Sequence, residues 1–309
     1  MSGKFTHLHV HSEYSLLDGG NAVGKLITRA KELEMGAIAL TDHGNMFGAI
    51  KFYTKAVAAG IKPIMGIEAY ICKGDRRKKE GGMSANNHLV ILAKNMAGYK
   101  NLLKLSSTAY IDGFYYRPRI DHQLLAEHHD GLIVTSACMS GEIAKAMREG
   151  NSDKAREYAE WYQKQFGDDF FIEIQQHIPE QNELNAPLID LANKIGCGIV
   201  ATNDVHFLTP EDYQAHDILC CISTGKLMDD ENRMHYPKEL YLKSQQEMCD
   251  QFIHIPEACD NTMRIADMCD LELNFNEQHA PVYIPPKKIS PNDYIEKLCL
   301  EGVKKYMEK

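Results

Sequence analysis

Short apolar runs recur through the first two-thirds of the chain, separated by stretches with helical spacing or by polar loops. Residues 5–10, 37–41, 63–71, 89–93, 132–135, 170–174 and 198–202 are too short for helices and predict strands. Between them, Val23, Leu26, Ile27, Ala30 and Leu33 fall on one helical face. A second helix is expected from Ser152 as N-cap, with Ala155, Tyr158, Ala159, Tyr162 and Phe166 turned inward and Gly167 as its stop. A third carries Leu184, Leu188, Leu191 and Ile195 and ends at Gly196. Pro187 inside it predicts a kink or a restart.

Strand and helix in alternation imply an α/β protein built of parallel βα units, and seven strands favour a closed or nearly closed barrel. One pair breaks the rhythm. The loop at 73–87 is polar and lacks helical spacing, so runs 63–71 and 89–93 predict an antiparallel hairpin. The end of the first run then lies beside the start of the second. After Gly225 the pattern changes: a short strand at 240–243, a capping box from Ser244 to Glu247, and a helix from Pro256 to about Cys269. A Pro-containing linker at 281–291 and a last helix capped by Ser290 follow. The expected division is 1–270 as one domain and 271–309 as a linker and first helix of something longer.

Composition narrows the class without choosing a function. The 309 residues are 44% hydrophobic and 25% charged, enough for a large core in a globular protein. No run of about 18 apolar residues exists to span a membrane. Nine cysteines, an odd number with no C-x-x-C pair, argue for reduced thiols in a cytoplasmic protein. A net charge of −9 speaks against a surface that holds nucleic acid by bulk electrostatics. It leaves nucleic acid open as a substrate, because bound divalent cations reverse the charge of a carboxylate-lined cleft.

The chemistry gathers where the predicted strands end. His9 and His11 close the first run on one face, and Asp18 follows in the next loop. Asp42 and His43 close the second run and Glu68 lies late in the third. His88 opens the fourth, Cys138 follows the fifth, and Asp204 and His206 close the seventh. Each is weak alone, since 14 histidines make one H-x-H pair unremarkable. Together they deliver ligand-type side chains from seven segments to one inferred rim, where parallel barrels carry their sites. Imidazoles and carboxylates suit Zn²⁺, Mn²⁺ or Fe²⁺, and the thiolate favours Zn²⁺. Water activated by such ions can attack phosphorus. Asp42 reads either as a partner orienting a ligating imidazole or as a turn residue before Gly44. Arg117 and Arg119, next to Tyr115 and Tyr116, are candidates for phosphate contact or for structural ion pairs. The basic stretch at 73–79 reads better as a solvated loop, and His177, His216 and His235 as helix or loop residues.

The segments HLHVHSEYSLLDG, ALTDHGNMFG, IKPIMGIEAY, HLVILAKN, IVTSACMSGEI and VATNDVHF resemble the PHP (polymerase and histidinol phosphatase) superfamily. With GFYYRPRID, FFIEIQ and the stretch 204–221 they resemble, more narrowly, the N-terminal PHP domain of bacterial DNA polymerase III alpha subunits, from about Phe5 to about Cys269. That resemblance implies a distorted seven-stranded TIM-like βα barrel with up to three divalent metals, Zn²⁺ or Mn²⁺ and also Fe²⁺ or Mg²⁺. His9, His11, Glu68 and Asp204 would hold one metal, and Asp18, His43 and His206 a second. His88 and Cys138, with Glu68 bridging, would hold a third. Asp42, His43, Asp204 and His206 would carry catalysis. Asp18 and Cys138 stand where some relatives have His.

Three functions then compete. The first is a 3′–5′ exonuclease that proofreads DNA within a replicative polymerase, with other polymerase domains and replisome subunits as partners. Nucleotidyl transfer itself would lie in a palm beyond residue 309. The second is a free-standing phosphomonoesterase of the histidinol phosphatase kind. The third is a non-catalytic docking domain with structural metals.

Overall fold

A computed structural model describes residues 4–82, 86–277, 280–286 and 289–308. Residues 83–85 of the predicted polar loop and 287–288 of the predicted linker lie outside the described residues. Two compact units emerge, Met1–Glu272 and Leu273–Lys309.

The first unit is built on a curled seven-stranded sheet, a half-barrel flanked by helices. Its strands are β1 (Ala37–Leu40), β2 (Lys62–Cys72), β3 (Asn86–Ala93), β4 (Arg119–Ile120), β5 (Leu132–Thr135), β6 (Phe170–Ile174) and β7 (Gly198–Ala201). The spatial order is β1-β2-β3-β5-β6-β7, with β4 paired to β2. The hairpin is present: β2 and β3 pair antiparallel, and β3 also runs against β5. The other pairs are parallel. Every residue of β1, β5 and β6 is buried, as expected of strands covered on both faces.

The first predicted run does not become a named strand. Its hydrogen bonds alternate between two neighbours, so no continuous ladder forms with either. Ala39 and Thr41 donate to the carbonyls of His7 and Val10, while Val205 donates to His9 and His11 to Val205. The segment therefore spans the gap between β1 and the residues after β7, and it carries His9 and His11 into the interior. Inside, Leu8, Ala39, Ile64, Val90, Leu92, Ile133, Phe171 and Val200 form the core with Ile265 and Ala266.

Three local expectations are corrected. The helix Ser152–Phe166 is capped by Asn151, whose side chain accepts from the Lys154 amide, so Ser152 is its first residue and not its cap. The helix Pro179–Ile195 runs through Pro187 without a restart. Residues 240–243 contribute only an isolated bridge, Phe207 to Tyr241, because the partner backbone turns away at once. The capping box at Ser244 and Glu247 and the helix Pro256–Met268 form as read. Asn261 of that helix donates to the Ile199 carbonyl at 2.8 Å, tying it to β7. No helix among the described residues is long and apolar enough to cross a membrane.

The second unit contains the helix Pro291–Met307, capped by Ser290, whose hydroxyl accepts from the Asp293 amide at 3.1 Å.

Candidate metal centre

All nine sequence-selected ligand residues converge on one cavity of about 680 Å³ or on the wall behind it. Glu68, buried on β2, stands at the centre. Its carboxylate lies 3.3 Å from His9 Nε2, 3.5 Å from His11 Nε2, 2.5 Å from His43 Nδ1 and 2.8 Å from His88 Nδ1. The hairpin makes the last contact possible, since register opposes Glu68 to Val90 and Tyr70 to His88. Asp204 Oδ1 is 3.3 Å from His9 Nε2 and 3.1 Å from His11 Nε2. Asp18 reaches His43 at 3.4 Å, and the Cys138 sulfur is 3.9 Å from Glu68 and 3.7 Å from His88. The His206 ring packs 4.5 Å from that of His11.

Three overlapping groups have the closeness a metal needs: His9, His11 and Asp204; His11, His43 and His206; His43, Glu68 and His88. His11 and His43 each belong to two groups. Asp204 and Ala137, which precedes Cys138, hold left-handed φ angles of 47° and 58°. Such backbone costs of order 1 kcal/mol in a non-glycine residue and clusters at functional sites.

The electrostatics are those of a site built for cations. Burial would depress the imidazole of His9, yet Asp204, Glu173 and Glu68 hold it well above its usual range. The same holds for His43, where Asp18 and Glu68 outweigh burial. Burial also opposes charge on Glu68 and Asp204, but the facing imidazoles keep both carboxyls well below their usual range. His11 is pushed down to about 3 by burial and by His43 and His206 opposite. The Cys138 thiol is pushed well up by burial and by Glu68. A cation would reverse that last sign, because the thiolate is the ligand.

Whether divalent ions fit can be judged from unmet polar atoms. His9 Nε2, Asp18 Oδ1, His43 Nδ1, Glu68 Oε2 and His206 Nε2 are buried without a hydrogen-bond partner. The 2.5 Å approach of His43 to Glu68 lacks hydrogen-bond geometry. Each such atom costs about 1–3 kcal/mol if left unsatisfied. Five of them gathered in one place match the donor set of a metal cluster.

Behind these side chains stands a supporting set, part of which sequence reasoning missed. Glu173 on β6 is fully buried and accepts from His9 Nδ1 at 2.7 Å, from the hydroxyls of Thr135 and Thr202, and from Gln175. This places the His9 proton on Nδ1 and turns Nε2 to the cavity. An acid within five consecutive buried strand positions was the available signal. Tyr236 and His216 hold Asp18, the first by a 2.7 Å bond to Oδ2 and the second to the backbone carbonyl.

Two predicted roles change. Asp42 does not touch an imidazole. It accepts from the Ser12 amide and from the hydroxyls of Ser12 and Ser15, and Ser15 in turn lies 3.1 Å from His11 Nδ1. Asp42 is therefore a positioning residue acting through Ser15. Arg119 is buried and spends its guanidinium on the carbonyls of Gly113, Arg76 and Lys78, so it cannot reach a phosphate. Arg117 does line the cavity, its guanidinium 5.7 Å from the Tyr70 ring. In the basic stretch, Arg76 pairs with Asp121 and Arg77 with Asp75. His177 is half-buried, with desolvation lowering its pKa to about 4, and His235 is exposed near Asp217.

Comparison with known proteins gives the arrangement a family. The DNA polymerase III subunit alpha of Borreliella burgdorferi is 47% identical over 307 residues, 97% of this chain and 27% of that protein. That of Treponema pallidum is 44% identical over 305 residues, 97% of this chain and 26% of the protein. The chain thus spans about a quarter of the length of these curated relatives. A solved two-domain protein from Bacteroides vulgatus, containing a predicted PHP-like metal-dependent phosphoesterase, aligns at a TM-score of 0.41 and 13% identity. The alignment covers 86% of this chain and 69% of that one. A family model described as PHP domain matches residues 7–177, more than half of the sequence, and the chain belongs to the PHP domain family.

Proposed function

We propose that the chain is a metal-dependent phosphodiesterase that removes nucleotides from the 3′ end of a DNA strand. Its setting would be the front of a replicative polymerase alpha subunit, with a phosphoesterase domain over 1–270 and a lead-in to further polymerase domains over 271–309. The carrying observation is the meeting of His9, His11, Asp18, His43, Glu68, His88, Cys138, Asp204 and His206 around one cavity with unmet polar atoms. These nine residues would hold up to three ions, Zn²⁺ or Mn²⁺ fitting the donors best, with Fe²⁺ and Mg²⁺ as further candidates. Bound there, such ions polarise a phosphate and lower the pKa of water towards neutrality.

The chain's own residues do the rest. Glu173 fixes the tautomer of His9, Asp42 steadies His11 through Ser15, and Tyr236 with His216 fixes Asp18. His43, Asp204 and His206 present their donors to the cavity where the phosphate would sit. Arg117 supplies a fixed positive charge at its wall. The polymerase relatives align over nearly the whole chain, which favours this reading over a free-standing phosphomonoesterase.

The test is direct. With Mn²⁺ or Zn²⁺, the purified chain should shorten a 3′-labelled single strand, and His43→Ala or Asp204→Asn should abolish trimming. Variants that trim as fast as the parent would assign the activity to a contaminating nuclease. A fully metal-loaded parent that trims nothing would leave the metals a structural role.

A further inference from the structure

Beside the metal cavity the surface bears aromatic rings where polar side chains are usual. Phe47, Tyr110, Phe114 and Tyr116 are 58%, 39%, 49% and 57% exposed. They come from separate places: Phe47 precedes the helix Ala49–Ala59, Tyr110 lies in the last turn of Met96–Ile111, and the other two occupy the loop before β4. The fold nevertheless sets the first three in a row. Phe47 and Tyr110 have ring centroids 6.0 Å apart, and Tyr110 and Phe114 stack at 6.1 Å with 24° between their planes.

The row ends at the candidate centre. Tyr110, Phe114, Tyr116 and Arg117 line a hollow of about 160 Å³ whose other wall includes Asp18 and His43. Arg117 also lines the larger cavity and has no ion-pair partner among the described residues. Exposed apolar surface of this kind marks a place where something docks. What docks must offer flat rings in series and, at the cavity end, an anion. Consecutive bases of a single strand stack on aromatic side chains whatever their sequence, and the phosphate between them meets an arginine. A small phosphomonoester has no use for such a row.

We infer that Phe47, Tyr110 and Phe114 form a stacking platform for consecutive bases of a single polynucleotide strand, with Arg117 on the phosphate entering the metal cavity. The fate of that phosphate rests on the phosphodiesterase reading, whereas binding of the strand does not. Among the described residues Arg117 is the one arginine or lysine lining that hollow, so along the strand stacking, and not counterion release to protein cations, supplies most of the affinity.

The experiment measures binding of a fluorescent single strand, protected by 3′-terminal phosphorothioate linkages, to the full chain with Mn²⁺. Phe114→Ala and Tyr110→Ala should each weaken binding about ten-fold, and Phe114→Trp should bind at least as tightly as the parent. Melting temperature and metal content should match the parent's in all three. Raising salt from 50 to 200 mM should weaken binding only about three-fold, the change expected for one phosphate contact on a single strand. Alanine variants that bind like the parent, or a tryptophan variant that behaves like alanine, overturn the platform. If the variants weaken binding while the parent trims nothing, the platform stands and the exonuclease reading falls. If the parent trims but the variants bind normally, the reverse holds.

Discussion

Glu173 occupies the middle of an apolar strand, yet its carboxylate gathers four donors: His9, Thr135, Thr202 and Gln175. A buried charge is tolerable only when it is this well satisfied. Its consequence is a fixed His9 ring with Nε2 towards Glu68 and Asp204, where a bound cation would take it as a ligand. Partners of this kind tune metal affinity by about 10–100-fold. Glu173→Gln should therefore weaken metal binding by that order while the chain stays folded, as read by competition with a chromophoric chelator. Unchanged affinity would reduce Glu173 to a packing residue. At this scale the sequence was legible where chemistry and position coincide, as for His43 or His88. It was illegible where two like residues diverge: nothing in the string RPR tells that Arg117 faces a cavity while Arg119 is consumed by three carbonyls. Asp42 likewise shows its role only through Ser15.

Among the elements, the hairpin and the turn after β5 bring the Cys138 side of the centre together. The His88 amide donates to the Ser140 carbonyl, and His88 pairs with Gly141 in a parallel bridge. Gly141 has an ordinary φ of −67°, so its glycine is required by space and not by conformation. A Cβ there would meet the Ser136 carbonyl oxygen at 2.0 Å. Gly141→Ala should force the turn apart, costing about 1–3 kcal/mol, the usual range for overpacking. A lowered melting temperature together with a lost metal ion would confirm the coupling, and a parent-like melt would refute it. The hairpin itself was readable because a polar loop without helical spacing joined two apolar runs. The two-residue β4 was not, being too short for any period to register. The first segment reads as a strand but divides its hydrogen bonds, a property of its neighbours and not of its own residues.

For the whole molecule, the half-barrel explains why residues from position 9 to position 206 can act as one group. Parallel strands present their ends on the same side, and β3, reversed, offers its beginning there instead. Alternation along the chain made that architecture legible, while the number of ions and the partition of His11 and His43 between them depend on side-chain placement. The acidic balance of the chain is compatible with this centre, since its carboxylates call for cations and not for a basic surface. Cations that bind only the folded form should also stabilise it, by about 2.7 kcal/mol at a hundred-fold excess over the dissociation constant.

Elemental analysis of the full chain, dialysed against Zn²⁺ or Mn²⁺ and then against buffer, tests the central claim most directly when run beside Glu68→Ala. The account predicts two or three tightly held ions per parent chain and the loss of at least one in the variant. A parent that retains no ions, or a variant that retains as many as the parent, would contradict it.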